Sequence, residues 1–180
     1  MNAAAAKTHG TMEAHRTEHG AEGERDMDAE ESRPPAGFEP LFRSSPFLDT
    51  AGPFFYRKEP DGSFVVGLRI LRKHANARGS AHGGLLLTLI DIALGYRAAF
   101  SQDPPASLTT ANISADFSGA PKVGDWVEAH VDVQKVGGRL AFANAFLVAN
   151  GERLVRASAV FGRNAGPLPE RAGTTADTGS

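Results

Sequence analysis

The chain has 180 residues, and its composition is uneven: residues 1–37 contain no Val, Ile, Leu, Phe, Tyr or Trp, whereas all fourteen aromatics fall between Phe38 and Phe161. The charge divides along the same line, −4 over residues 1–37, +3 over residues 38–163 and −1 over residues 164–180. The absence of cysteine excludes a disulfide framework, a thiolate metal site and a cysteine nucleophile.

These counts predict one domain over 38–163, long enough to bury a core. The flanking segments 1–37 and 164–180 carry too little apolar surface to offset their ordering entropy, so both are expected to be disordered tails. No apolar run reaches 18 residues, which argues against a membrane-spanning helix. The N-terminus lacks an apolar stretch longer than Ala3–Ala6, which argues against a secretory signal, so the expected compartment is the cytoplasm. Basic residues are not gathered as a nucleic-acid interface requires, but a mildly positive domain admits a small polyanionic ligand. The irregular spacing of His9, His15 and His19 does not suit a metal site.

In chain order, Arg33-Pro34-Pro35-Ala36-Gly37 forms a stiff hinge, and Phe38–Leu48 is expected to lie on the domain as a short helix or extended cover. Phe54–Lys58 and Ser63–Ile70 read as strands of a hairpin around the turn Glu59-Pro60-Asp61-Gly62. A polar loop over 72–84 follows. Leu85–Phe100 is a helix, apolar nearly all round, of the kind a sheet must wrap. Four further strands are predicted at Ser107–Phe117, Trp126–Val136, Leu140–Ala149 and Arg153–Phe161, with tight hairpin signals at Gly137-Gly138 and Asn150-Gly151. A single long helix supplies too few crossovers for a doubly wound sheet, so an antiparallel sheet around a central helix is expected. The Phe and Val residues on its other face suggest an oligomer.

The chemistry concentrates between residues 76 and 110. Gly83-Gly84 opens the helix, where free N–H groups and the positive dipole end could stabilise an oxyanion; a tight loop-to-helix turn would also require glycine there. Asp91 interrupts the most apolar helix of the chain. It is either a general base or nucleophile, or a structural carboxylate on a narrow exposed stripe. Gly83 and Asp91 stand eight residues apart, about 12 Å along one helix. If both serve one carbonyl they must come from different subunits of a two-fold dimer. Asn76 and His82 could orient water or substrate, or close the loop and cap the helix. One hydroxyl of Thr109 and Thr110 should point inward, where it could hold Asp91 or its water. Ser80 lacks a nucleophile-elbow context, and His74 and His82 lack the companions of a zinc site.

Taken together, His74-Ala75-Asn76 and His82-Gly83-Gly84, Asp91 eight residues beyond Gly83, the strand opening Leu108-Thr109-Thr110 and ending Asp116-Phe117, Val123-Gly124-Asp125, and Gly138-Arg139 at a hairpin resemble the hotdog-fold acyl-CoA thioesterases of the phenylacetate-degradation (PaaI) type. The resemblance spans about residues 52–162. It implies an α+β hotdog fold, homodimers with shared active sites that usually form homotetramers, and hydrolysis of an acyl-CoA thioester to acid and coenzyme A without a cofactor or metal. Carried onto this chain, it implies that Gly83 polarises the carbonyl, that Asp91 of the other subunit activates water or attacks directly, and that Asn76 and His82 support water, loop and thioester. Thr109 would hold the water. Arg139, with Arg72, Lys73 and Arg78 as positional candidates, would meet the coenzyme A phosphates. The acyl group is left open between aryl and medium-chain acids. Two alternatives stand beside hydrolysis: a non-catalytic acyl-CoA-binding or sensing module, and a hotdog enoyl-CoA hydratase or dehydratase, whose usual Asp and His pair five residues apart is absent.

Overall fold

The structure is a computed structural model and describes residues 31–168. Strand β1 (Glu39–Pro40) is followed by helix α1 (Pro46–Ala51), strands β2 (Phe55–Lys58) and β3 (Phe64–Arg69), and a 3₁₀ turn (Arg72–His74). Helix α2 (Gly83–Phe100) comes next, then β4 (Ala106–Phe117), β5 (Trp126–Val136), β6 (Leu140–Ala149) and β7 (Glu152–Pro167). All strand pairs are antiparallel, in the order β1-β2-β3-β5-β6-β7-β4, and α2 packs on one face. This is the central helix and wrapping sheet that the sequence pattern predicts.

Alternation along the strands builds the seat for α2. On β6 the inward residues are Ala141, Ala143, Ala145, Leu147 and Ala149, and Ala129, Ala157 and Ala159 face the same way from β5 and β7. These small side chains let a bulky helix approach, and Leu86, Leu89, Ile90 and Leu94 of α2, at most 1 % exposed, fill the space. Helix α2 is long and apolar enough to cross a membrane by length and composition alone, with a mean hydropathy of 1.4. The expectation drawn from run length therefore misses it as a candidate, although its apolar side chains are those that fill the core here. At the β6–β7 turn, Asn150 and Gly151 both take positive φ, 52° and 79°, as a two-residue turn matching the strand twist requires.

Three expectations change. Strand β7 runs to Pro167 and pairs with Ala106, past the predicted domain end at 163. On the other side Ser32 is buried, and the Arg33 carbonyl accepts from Arg69 Nε at 3.0 Å, so residues 31–37 belong to the fold rather than to a tail. The predicted disorder of 1–30 and 169–180 lies outside the described residues. Third, part of the sheet face away from α2 is covered from within the chain. Phe38 folds over its first strands, with its ring 4.9 Å from that of Trp126, and closes a small cluster with Phe55 and Val65. Gly67 allows this, since a Cβ there would lie 2.6 Å from Trp126 Cζ2. Farther along, that face presents the polar Ser114, Asp116, His130, Asp132, Asn144, Arg156 and Ser158 with Phe146 among them, and the half-buried Phe142, Val148 and Val160. Further open surface lies at the sheet edge. The outer edge of β4 is open and carries no Pro, Lys or Arg over twelve residues, and α2 shows a stripe beside it.

Candidate active site

The loop before α2 is zipped shut from within. His82 N–H donates to the His74 carbonyl at 2.8 Å, Asn76 N–H to the Ser80 carbonyl at 2.7 Å, and Ala81 N–H to the Pro121 carbonyl at 2.8 Å. Gly79 takes φ +75° at the tip. The Asn76 side chain serves this loop: its Oδ1 accepts from Arg78 N–H at 2.8 Å and Ser80 N–H at 3.4 Å, and its Nδ2 donates to the Ala81 carbonyl at 3.4 Å. Of the two roles open to Asn76, loop closure is the one its contacts display, and both of its acceptor positions are occupied.

His82 is the N-cap of α2. Its Nδ1 accepts from Gly84 N–H at 3.1 Å, while its carbonyl takes the Leu85 and Leu86 N–H groups at 3.0 and 3.3 Å. That leaves the Gly83 N–H, the first of the helix, with no acceptor among the described residues. It stands at the positive end of an 18-residue dipole, and the Phe117 ring lies 3.9–4.0 Å from where a Gly83 Cβ would be. Gly83 itself is half-buried.

Two turns on, Asp91 is half-buried, not enclosed, and its Oδ1 accepts from Thr110 Oγ1 at 2.7 Å. The hydroxyl on the carboxylate is thus that of Thr110. Thr109, the residue expected to hold the water, accepts from Asn164 Nδ2 at 2.9 Å. Leu108, packed against the core, and Thr110 stand two residues apart ahead of the register shift that follows Thr110, so strand alternation places both on the helix side. Asp91 lies on a stripe with Gly84, Leu87, Thr88 and Gly95, and Leu87, 37 % exposed, sits halfway between Gly83 and Asp91.

The basic candidates fall into two groups. Lys73 lines a cleft with His82 and Gly84, while Arg72 and Arg78 are exposed on the same loop region. Arg139 is at the far end, on the β5–β6 turn, where its carbonyl accepts from Arg163 N–H at 2.9 Å; Arg163 is paired with Leu108 of β4. Within one chain Arg139 thus goes with the Thr110 end of β4, and Lys73 with Gly83. The described residues contain no group of three or more His, Asp or Glu that could hold a metal.

Sequence reasoning set His74 aside as a metal ligand and did not foresee its burial. It is 6 % exposed, its Nδ1 accepts from Leu71 N–H at 3.0 Å, and its Nε2 has no hydrogen-bond partner among the described residues. Burial, with Lys73 beside it, pushes its pKa below the usual histidine value. Phe117 was legible only as the end of a strand, and Leu87 only as one more leucine of an apolar helix.

A free helix-terminal N–H and a tethered carboxylate on one helix, inside an antiparallel wrap, define a hotdog protein with a candidate hydrolytic site. The comparisons agree. Residues 78–156, which include Gly83, Asp91 and Thr110, match the thioesterase superfamily model. The Pseudomonas aeruginosa protein named "Putative esterase PA0474" is 56 % identical over 128 residues, covering 71 % of this chain and 95 % of its own length. The chain belongs to the thioesterase superfamily. Among solved structures, a mutant of the phenylacetic acid degradation protein PaaI from Thermus thermophilus is 25 % identical, with a TM-score of 0.55 over 67 % of this chain and all of its own. A hypothetical thioesterase with coenzyme A from Streptococcus pneumoniae is 22 % identical, with a TM-score of 0.55 over 67 % of this chain and 93 % of its own.

Proposed function

We propose that the protein hydrolyses acyl-CoA thioesters, with aryl or medium-chain acyl groups, in active sites shared across a homodimer. The observation that carries this reading is the pairing on one helix of an uncapped Gly83 N–H with the Thr110-tethered Asp91 carboxylate, about 12 Å apart along the axis. One carbonyl cannot meet both groups in a single chain. Two antiparallel copies of α2 crossing near Leu87 bring Gly83 of one subunit beside Asp91 of the other, twice. The open β4 edge supports such a pairing. The coenzyme A in the Streptococcus structure's title supports the choice of thioester.

In this mechanism the thioester oxygen takes the Gly83 N–H, which strengthens as the oxygen becomes negative. Asp91 of the partner subunit accepts a proton from water as the water oxygen bonds to the carbonyl carbon; direct attack by the carboxylate to give an anhydride is the other route. The C–S bond then breaks, and coenzyme A leaves as a thiol after taking a proton. Thr110 holds the carboxylate, and His82 and Asn76 hold the loop. Arg139 of one subunit and Lys73, Arg72 and Arg78 of the other would meet the phosphates from opposite sides.

Asp91→Asn should lower thiol release from an acyl-CoA panel by about 10²–10⁴-fold with an unchanged melting temperature. Hydrolysis at the wild-type rate by the folded variant removes Asp91 from the mechanism.

A further inference from the structure

Beside the first turn of α2 lies a cleft of about 550 Å³, within the range of about 300–1,000 Å³ that encloses small organic ligands. Its apolar wall is Phe47, Ala51, Ala75 and Leu85; its polar groups are Lys73 and the threonines and histidines at 50, 74, 82 and 88, with no carboxylate among them. Phe47, at 64 %, is the most exposed large apolar side chain of the described residues. The helix that carries it is not loose. Ser45 caps α1, Leu48 anchors it in the core at 7 % exposure, and its last turn closes through Gly52 N–H to the Leu48 carbonyl at 2.7 Å. The fold therefore holds a bare aromatic ring in place at the rim.

We infer that this cleft receives the acyl group of the substrate, with Phe47 as the residue that sets its length and bulk. The inference rests on the thioesterase reading and extends it to an uncharged, apolar acyl class. The cleft is continuous with the candidate site, since Gly84 and His82 belong both to its wall and to the turn that presents the Gly83 N–H. A thioester with its oxygen on that N–H can send its acyl carbon chain along Leu85 toward Phe47. An acyl group that reaches Phe47 buries the ring, while acetyl is too short to touch it.

The test compares kcat/KM of Phe47→Ala and wild type on acetyl-CoA, octanoyl-CoA and phenylacetyl-CoA, with melting temperature and light-scattering mass measured on both. Loss of one buried aromatic contact predicts a fall of about 10–100-fold on the two larger substrates. Acetyl-CoA should change by less than about threefold, a span well inside that loss. Equal falls on all three substrates would overturn the inference by putting pantetheine in the cleft. Unchanged kinetics with a changed mass would overturn it in favour of a second copy covering Phe47. Failure of the reading beneath it looks different: the wild type would then release no thiol from any acyl-CoA. In that event, tight binding of octanoyl-CoA to wild type, weakened in Phe47→Ala, would still support the cleft as an acyl site.

Discussion

Gly83→Pro removes one hydrogen-bond donor and little else. Proline is favoured at the first position of a helix, where its missing N–H has no intrahelical partner, and Gly83 occupies that position in α2. The residue before a proline must be extended, and His82 already is, at φ −69° and ψ 134°. The nearest atoms to a Cβ at Gly83 are those of the Phe117 ring at 3.9–4.0 Å, an ordinary contact. The His82 cap survives, because it bonds the N–H groups of Gly84, Leu85 and Leu86. Folding stability should therefore hold or rise by about 0.4–1 kcal/mol through the stiffer unfolded chain. Catalysis should not survive as well: loss of one oxyanion donor costs about 2.7–4 kcal/mol, or about 10²–10³-fold in kcat. Gly83→Ala keeps the N–H and is the matched control. The assay is thiol release at saturating acyl-CoA, with thermal melts of both variants. A Gly83→Pro protein that melts normally and turns over like Gly83→Ala would refute the assignment of this N–H to the carbonyl.

Thr110→Val deletes a hydrogen bond to a carboxylate, worth about 1.5–3 kcal/mol, so kcat should fall about 10–150-fold, whereas Thr109→Val should leave it nearly unchanged; the reverse order in steady-state kinetics would restore Thr109 to the site. Mixing inactive Gly83→Pro and Asp91→Asn chains after unfolding should restore about a quarter of the sites, one per mixed dimer, and mixed dimers without activity would sink the shared-site geometry. Leu87→Arg, at the proposed helix crossing, should shift the mass seen by light scattering toward the monomer and abolish turnover; an active, unshifted variant places the crossing elsewhere. The depressed pKa of His74 makes stability depend on pH: below about 6.5 the unfolded chain takes up a proton that the folded chain refuses, so stability falls as pH falls until the lowered folded pKa is passed. Urea midpoints between pH 7 and 5.5 should decline for the wild type and decline less for His74→Asn, and equal slopes would assign the effect to another group.

Much of the architecture was written locally. The period-2 runs of β5 and β6 carry their own boundaries, the Asn150-Gly151 turn carries its own dihedrals, and an apolar stretch of helical length has few places to go but under a sheet. The candidate site was legible as far as it depends on helix chemistry. A Gly-Gly pair at the first turn and a lone Asp two turns later are visible because each violates the pattern around it. Their separation follows from helical rise alone, and with it the expectation that the two groups serve one carbonyl only if they come from different subunits.

What depended on tertiary structure was every contact between segments distant in sequence. The packing of β4 beside α2 brought the Thr110 hydroxyl onto Asp91. The Phe38 ring closed over Phe55, Val65 and Trp126 on the first strands of the outer sheet face. Placement of α1 beside the first turn of α2 made Phe47 part of a cleft, and burial lowered the pKa of His74. Propensity and periodicity act over a few residues, so a sequence declares its helices, turns and exceptional residues. Which hydroxyl reaches a carboxylate is fixed by packing between elements, and that is decided only when the chain closes on itself.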